Sequence, residues 1–179
     1  YVGLKAAVRY RLHRSDLRGL KVAVQGLGNV GYNLCKLLAK DGVQLWVTDV
    51  AQDKITQAVK EFGATAVALN DIYSQDVDVF APCALGAIIN DGSIKQLKAK
   101  VVAGAANNQL AEARHGDVLR DRKVLYAPDY LINAGGLINV YYEYAGRKEG
   151  KVYDRAHVLS HVDKIDETSE SIFRRAEQD

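Results

Sequence analysis

Hydrophobic positions follow two alternating spacings along this chain, and the alternation predicts an α/β protein. Residues 20–25 form a short, largely apolar run, which is typical of a buried strand. Helical spacing follows at once, with apolar side chains at Val30, Leu34, Leu37 and Leu38. Because strand-like and helix-like runs exchange in this way to the end of the chain, we predict a Rossmann-like, doubly wound, mostly parallel sheet with helices on both faces.

The same pattern gives the bounds of the individual elements. Strands are predicted at 20–25, 43–48, 64–69, 77–81, 100–103 and 124–127. Helices are predicted at 1–14, 30–40, 52–62, 88–97, 112–122, 135–145 and 153–176. Gly63 is placed to cap the helix at 52–62, and Gly146 is expected to break the helix at 135–145. The last helix is amphipathic, and its apolar face comprises Val158, Val162, Ile165, Ile172 and Phe173.

A glycine-rich loop joins the first strand to the helix that follows. The loop consists of Gly26, Leu27, Gly28, Asn29, Val30 and Gly31. Gly26 suits a tight turn, Gly28 lets the main chain approach a pyrophosphate, and Gly31 lets the helix pack near the strand. Free N–H groups at the start of the helix would point at the phosphates, aided by the helix dipole. We therefore predict a dinucleotide site over all six residues, in preference to an ordinary glycine turn.

An acidic residue, Asp49, closes the second predicted strand, as the dinucleotide fingerprint requires. Its carboxylate would accept hydrogen bonds from both hydroxyls of the adenosine ribose. The same charge would repel a 2′-phosphate, and no arginine follows directly in 50–53. The sequence therefore predicts NAD rather than NADP as the cofactor, with Asp49 and Val50 beside the ribose.

Two corners of small residues follow later strands. The first corner, 81–86, ends the strand at 77–81, and the second, 104–108, follows the strand at 100–103. The residues predicted to contact the cofactor are Cys83, Ala84 and Leu85 in the first corner and Ala106, Asn107 and Asn108 in the second. Ligands of doubly wound sheets collect at the carboxyl ends of the strands. We therefore predict that the first corner lies beside the cofactor ribose, and that the second offers amides to a nicotinamide carboxamide or a substrate carboxylate. A proline-marked strand exit and a plain asparagine turn remain the alternatives.

Charge and composition argue against several classes of partner and site. A net charge of +2 over 179 residues provides no field for nucleic acid or a membrane surface, and no apolar run is long enough to span a bilayer. Cys35 and Cys83 lack metal-ligand spacing, so we predict buried free thiols, no metal site and a cytoplasmic location. His115 stands alone on its predicted helix and is interpreted as structural. The chain starts in mid-helix without Met and is expected to be a piece of a longer protein.

Four ordered motifs resemble the coenzyme domain of the glutamate/leucine/phenylalanine/valine dehydrogenase family. They lie at 22–30, 80–86 (Phe-Ala-Pro-Cys-Ala-Leu-Gly), 126–130 (Tyr-Ala-Pro-Asp-Tyr) and 133–136 (Asn-Ala-Gly-Gly), so the match covers essentially the whole chain. The resemblance implies one NAD-binding Rossmann domain over 1–179, with an interdomain helix in 1–18 and a C-terminal helix in 150–179. It also implies that one strand of the sheet is reversed.

The resemblance further implies an activity, the reversible NAD-dependent oxidative deamination of an L-amino acid to a 2-oxo acid and ammonia. Asn108 matches an asparagine that contacts substrate and nicotinamide, while Leu137 and Val140 match the family's side-chain selectors, one helical turn apart. Leu137 is larger than the alanine typical of phenylalanine-selective relatives, which favours an aliphatic, leucine-like substrate. Core packing of Leu137 and Val140 stays open. So does a phenylalanine-selective enzyme, because 104–108 resembles phenylalanine dehydrogenases although 81–90 and 109–133 resemble leucine dehydrogenases.

The family's paired lysines and their acidic partner lie in an amino-terminal domain that 1–179 does not match. We therefore expect no catalytic residue in this chain, and expect it to bind NAD(H) without turning over amino acids. The family forms homo-oligomers, which we expect of the full-length protein. One alternative is a regulatory NAD(H)-sensing module without chemistry, which would not need the motifs at 127–130 and 133–136. A hydroxy-acid dehydrogenase is disfavoured, because no His–Arg pair occupies matching motifs in the later half.

Overall fold

A computed structural model describes residues 1–150 and 152–178, in which six strands form one sheet. The strands are β1 Lys21–Gln25, β2 Gln44–Thr48, β3 Thr65–Ala66, β4 Val79–Pro82, β5 Val101–Val102 and β6 Leu125–Tyr126. Their order is β3-β2-β1-β4-β5-β6, and all five pairings are parallel. The predicted doubly wound α/β fold is confirmed. The reversed strand is wrong for the described residues, because every connection is a crossover long enough to return the chain to the same edge.

The helices cover both faces of this sheet. They are α1 Val2–Leu12, α2 Asn29–Lys40, α3 Gln52–Phe62, α4 Ser93–Gln96, α5 Arg114–Asp121, α6 Asp129–Ile132, α7 Gly135–Glu149 and α8 Arg155–Ala176, with a 3₁₀ turn at Ile72–Ser74. The prediction for α3 is confirmed to the residue, because Gly63 takes the left-handed conformation and its N–H donates to the Val59 carbonyl at 3.0 Å. Within the predicted range 150–179, Lys151 and Asp179 lie outside the described residues. Across the described part of the chain, no helix combines the length and apolarity needed to cross a bilayer.

Two predicted helix bounds are wrong. The helix predicted at 88–97 is reduced to Ser93–Gln96, because Ile89 pairs with Leu110 in a parallel bridge and Asn90 Oδ1 accepts the N–H groups of the turn that follows. The helix predicted to break at Gly146 continues to Glu149 and ends at Gly150, whose φ of 65° provides the left-handed cap. A glycine inside a helix weakens it by about 1 kcal/mol but does not by itself end it.

The core is divided by the sheet, because successive strand residues point to opposite faces. Val22 and Val24 of β1 pack with α1, α2, α3 and α8 on one face, whereas Ala23 packs with Phe80 and Leu119 on the other. Helix α8 buries Val158, Ile165 and Phe173 of its predicted apolar face and half-buries Val162 and Ile172. It is joined to α1 by a salt bridge at 2.8 Å between Arg9 and Asp166. The C-terminal helix therefore completes the face of the sheet that α2 and the glycine loop share.

Candidate functional site

The strand order reverses between β1 and β4, and the site predicted from sequence gathers there. The glycine loop follows β1, and Cys83 follows β4. The Cys83 N–H donates to the Gln25 carbonyl at 2.7 Å, which places the two strand ends side by side. In open α/β sheets the crevice at this switch point is where ligands bind. The structure thus brings the glycine loop and the first predicted corner together.

The three motif glycines have different surroundings. A Cβ added at Gly31 would lie 2.0 Å from the Gly26 carbonyl oxygen, and one added at Gly26, whose φ is 96°, would lie 2.7 Å from the Ala84 Cβ. A Cβ added at Gly28 would meet no atom within 4 Å. Two of the glycines are therefore required by packing within the chain, while Gly28 faces open space.

The first turn of α2 has the features of an anion site. Gly28 is its N-cap, and among the described residues no side chain caps the helix and no acidic residue lies in the first turn. Asn29 and Val30 are exposed. The N–H groups of a helix start carry a partial positive charge and favour a phosphate. This surface meets the open space over Gly28, so the residues present fit a dinucleotide diphosphate.

Asp49 lies directly after β2 and is tied to the glycine loop. Its Oδ2 accepts the Leu27 N–H at 2.5 Å and its Oδ1 accepts the Ala51 N–H at 2.8 Å. A carboxylate has about four acceptor positions, so two bonds leave capacity for ribose hydroxyls. The Leu27 side chain is buried and Val50 is 89% exposed. Only the main chain of Leu27 is therefore available at the site, whereas Val50 offers its whole side chain.

The second predicted corner lies beside the first. Ala106 is buried, Asn107 and Asn108 are exposed, and the Asn108 carbonyl accepts the Ala87 N–H at 2.7 Å. A Cβ added at Gly86 would lie 2.7 Å from the Asn107 carbonyl oxygen, so the two corners touch through their main chains. Ala84 and Leu85, the other predicted cofactor contacts of the first corner, are exposed.

The two thiols are free, as predicted, but only Cys35 is fully buried, whereas Cys83 is half-buried beneath the glycine loop. Burial raises the pKa of the Cys35 thiol to about 12 and also raises that of Cys83. Both thiols are thus protonated near neutral pH and are poor nucleophiles. Cys83 is therefore suited to packing beside a ligand, where the exposed Leu85 can also lie.

A cavity of about 400 Å³ opens beside these elements. It is bounded by Asn29 and Val30 of α2, by residues 103–105 after β5, by Leu4 of α1 and by Ile132 of α6. Its volume is within the range of small-molecule sites, and its walls are mainly apolar, as in most such sites. The cavity therefore extends the cofactor crevice from the first turn of α2 towards the second corner.

Helix α7 carries the predicted substrate selectors. Leu137 is 74% exposed and Val140 is 60% exposed, so core packing against the described residues is wrong for both. Tyr141 and Tyr144 are exposed as well, and no residue of α7 is buried. The helix therefore presents an uncovered apolar face, named here the α7 face (Leu137, Val140, Tyr141 and Tyr144).

Sequence reasoning missed two polar residues that hold the second corner. Gln109 is buried, and its amide nitrogen donates to the carbonyls of Gly104 and Ala106 at 2.9 Å each. Asp129 Oδ2 accepts the Gln109 N–H at 2.7 Å. The only signal for Asp129 in the sequence is its place in the motif at 126–130, and no pattern singles out Gln109.

Within the described residues, one group of His, Cys, Asp and Glu side chains is close enough to hold a metal, and none of its members lines the cavity at the crevice. The group contains Asp91, Glu112 and His115. Arg114 pairs with Asp91 at 2.7 Å and with Glu112 at 3.0 Å, and the buried His115 accepts the Glu112 N–H at Nδ1. The potential ligand atoms therefore bond within the protein, in keeping with the interpretation of His115 as structural.

This cluster predicts a small acid-dependent loss of stability. Hydrogen bonding to Arg114 and to His115 lowers the pKa of Asp91 below its ordinary value. A lowered pKa in the folded state stabilises the fold above the unfolded pKa of about 4, and the contribution is lost as pH falls further. We expect the urea midpoint of Asp91→Asn to fall below that of the unchanged chain at pH 7, by a small amount because the pair is exposed.

The difference in midpoint should shrink between pH 4 and pH 2. Asp117→Asn is the control, because it removes an equally exposed carboxylate that forms one i,i+3 pair with Arg120, and it should change the midpoint less. If the urea midpoints of Asp91→Asn and the unchanged chain differ by the same amount at pH 7 and pH 3, the stabilisation by Asp91 does not come from its charge.

Comparison with known proteins adds independent information. A sequence profile of the Glutamate/Leucine/Phenylalanine/Valine dehydrogenase family matches residues 45–179. A leucine dehydrogenase from Geobacillus stearothermophilus is 49% identical over 179 residues, which are 100% of this chain and 47% of that protein. An L-tryptophan dehydrogenase from Nostoc punctiforme is 53% identical over 158 residues, which are 88% of this chain and 45% of that protein.

A solved structure agrees with the sequence matches. The crystal structure of L-tryptophan dehydrogenase from Nostoc punctiforme superposes with a TM-score of 0.93 at 50% identity, covering 99% of this chain and 52% of the other. The chain therefore spans about half the length of the curated relatives it matches. The fold and the sequence point to the same group of proteins.

Proposed function

Residues 1–179 belong to the glutamate/leucine/phenylalanine/valine dehydrogenase family, and from this premise we propose that they form the NAD-binding half of an amino-acid dehydrogenase. The reaction proposed for the longer protein is the reversible oxidative deamination of an aliphatic, leucine-like L-amino acid to its 2-oxo acid and ammonia. The observation that carries the proposal is the open space over Gly28, beside the uncapped start of α2 and the Asp49 carboxylate.

Each part of the crevice has a proposed task. The N–H groups at the start of α2 hold the diphosphate, Asp49 binds the adenosine ribose, and Asn108 faces the nicotinamide and the substrate. The bound cofactor supplies the hydride acceptor, at C4 of its nicotinamide, for the hydrogen that leaves the substrate Cα. The apolar cavity between α2 and the second corner excludes water from that end of the crevice.

The proposed substrate class rests on the α7 face. Leu137 and Val140 lie on one side of α7 and are free to contact an apolar side chain. Leucine and tryptophan dehydrogenases are similar to this chain at nearly the same level, so overall similarity does not select among apolar substrates. The size of Leu137 favours an aliphatic substrate over an aromatic one. The second substrate candidate is an aromatic amino acid.

A purely NAD(H)-sensing module is the less favoured function. Such a module would need the glycine loop and Asp49 but would gain nothing from an exposed apolar helix next to the nicotinamide end. The lysines of this chain fall in no motif of the family, so residues 1–179 alone should bind the cofactor without turnover when leucine is added. A cytoplasmic location and a homo-oligomer of the longer protein stay predictions.

The test is a titration of residues 1–179 with NADH and NADPH, followed by nicotinamide fluorescence. NADH is expected to bind at least about tenfold, or 1.4 kcal/mol, more tightly than NADPH, because Asp49 repels a 2′-phosphate. Asp49→Ala should lose this preference. Asp49→Asn should lose it too while keeping an acceptor for the Leu27 N–H, which separates charge from support of the loop.

Asp53→Asn provides a matched control, because it removes the same charge from the exposed first turn of α3. It should leave the NADH preference intact. Equal affinity for NADH and NADPH, or no binding of either, would contradict the proposed cofactor site.

A further inference from the structure

We propose that Gln109 is a positioning residue, which sets the second corner for the nicotinamide end of the cofactor; the inference rests on the proposed function. Gln109 is not among the residues that would touch the cofactor, because its side chain is 0% exposed. Its amide nitrogen donates to the carbonyl oxygens of Gly104 and Ala106, each at 2.9 Å. One side chain thus fixes both the entry and the middle of the turn that leads to Asn108.

The main chain that follows Asn108 is fixed as well. The Gln109 N–H donates to Asp129 Oδ2 at 2.7 Å, and the Gln109 carbonyl accepts the Ile89 N–H at 2.9 Å. Asn108 itself has a φ of 50°, in the left-handed region that residues other than glycine rarely adopt. Such a conformation persists where neighbouring contacts hold it in place. Here the contacts are the side-chain and main-chain hydrogen bonds of Gln109.

The two asparagine side chains differ in a way that fits this role. Asn133 donates from its side-chain amide to Asn107 Oδ1, which ties the corner to the start of α7. The Asn108 side chain is exposed and makes no hydrogen bond within residues 1–150 and 152–178. Asn107 is thus used for support, whereas the Asn108 carboxamide is held out in solvent with its donors and acceptor available to a ligand.

A purely packing role does not explain the choice of glutamine. Gln109 Oε1 is buried without a hydrogen-bond partner in the described structure, which is unfavourable. Methionine has nearly the same shape and would fill this space with no unpaired acceptor. What glutamine adds is a pair of donors on one nitrogen, and both donors are used on the corner.

The test compares NADH with ADP-ribose, which lacks the nicotinamide. Gln109→Met keeps the shape and removes both donors. Residues 1–179 carrying this change should bind ADP-ribose as before, since Gly28 and Asp49 are unaltered. NADH affinity should fall at least fivefold, and the change in NADH emission that reports a shielded nicotinamide should be lost. Gln96→Met, on the exposed surface of α4, is the matched control and should alter neither probe.

A second variant covers the case in which Gln109→Met does not fold. Gln109→Glu retains the shape, and its carboxyl group provides one donor only when protonated. A buried carboxyl beside two carbonyl oxygens has a raised pKa, so its protonated form increases as pH falls through the neutral range. As pH falls from 8 to 6, the NADH affinity of this variant should therefore rise towards that of the unchanged chain. Its ADP-ribose affinity should equal that of the unchanged chain at every pH.

The outcomes separate the two proposals. Unchanged NADH affinity in Gln109→Met, or an equal loss for NADH and ADP-ribose, would overturn the positioning role. A Gln109→Glu variant with no pH-dependent gain for NADH would also overturn it. Failure of the unchanged chain to bind either probe would instead overturn the proposed function, and the inference with it.

Discussion

Gly28→Ala is expected to weaken NADH binding by a factor of at least about ten (1.4 kcal/mol) and to leave the free energy of unfolding unchanged. Gly28 has φ −65° and ψ −174°, which alanine adopts without strain, and the added Cβ would meet no atom within 4 Å. That same space is where the proposed diphosphate approaches the main chain. NADH fluorescence and urea unfolding measure the two effects on one sample.

Gly116→Ala is the matched control for this change. A Cβ there would meet only Leu110 Cδ1 at 3.5 Å, an ordinary contact, and the position is in α5, whose Leu119 packs on the opposite face of the sheet from α2. It should leave NADH affinity unchanged. If Gly28→Ala binds NADH as tightly as the unchanged chain, the cofactor does not lie over this loop.

Gly31→Ala, unlike Gly28→Ala, should destabilise the fold by about 3 kcal/mol, near the upper end of overpacking costs. The added Cβ would lie 2.0 Å from the Gly26 carbonyl oxygen and 3.0 Å from the Cys83 Cβ. The first contact is with backbone, which cannot swing aside as a flexible side chain can. Relief requires α2 to move away from the end of β1, and NADH binding should weaken as a consequence.

The measurement is the urea midpoint, with Gly28→Ala as the comparison because it adds the same methyl group three residues earlier. A midpoint equal to that of the unchanged chain would show that α2 shifts at no cost. The close packing of helix on strand would then not be what requires glycine at this position.

The early part of the fold could be predicted from sequence because its signals are local. Gly63 ends α3 through its own backbone conformation, and the glycine loop has its flanking strand and helix next to it. The segment at 88–97 misled the prediction because the helical spacing of Ile94 and Leu97 holds only for its second half. A bridge between Ile89 and Leu110 holds the first half of that segment in an extended conformation. The local sequence does not indicate a contact 21 residues away.

In the candidate site, too, residues with a local sequence signal could be predicted and residues held by distant contacts could not. The motif glycines and Asp49 were visible because a known chemical task fixes their types and order. Gln109 was not, because its partners are the carbonyls of Gly104 and Ala106, which any residue types would supply. Its link to Asp129 joins segments 20 residues apart, and only the fold brings them together.

The central place of β1 has a thermodynamic consequence. β1 is paired with β2 on one side and with β4 on the other, so its amides are released to solvent only when both halves of the sheet separate. Their deuterium exchange therefore reports global opening. A dinucleotide that binds the loop after β1 in the folded chain only would slow that exchange by a factor of one plus the ratio of its free concentration to its Kd, and would raise the melting temperature.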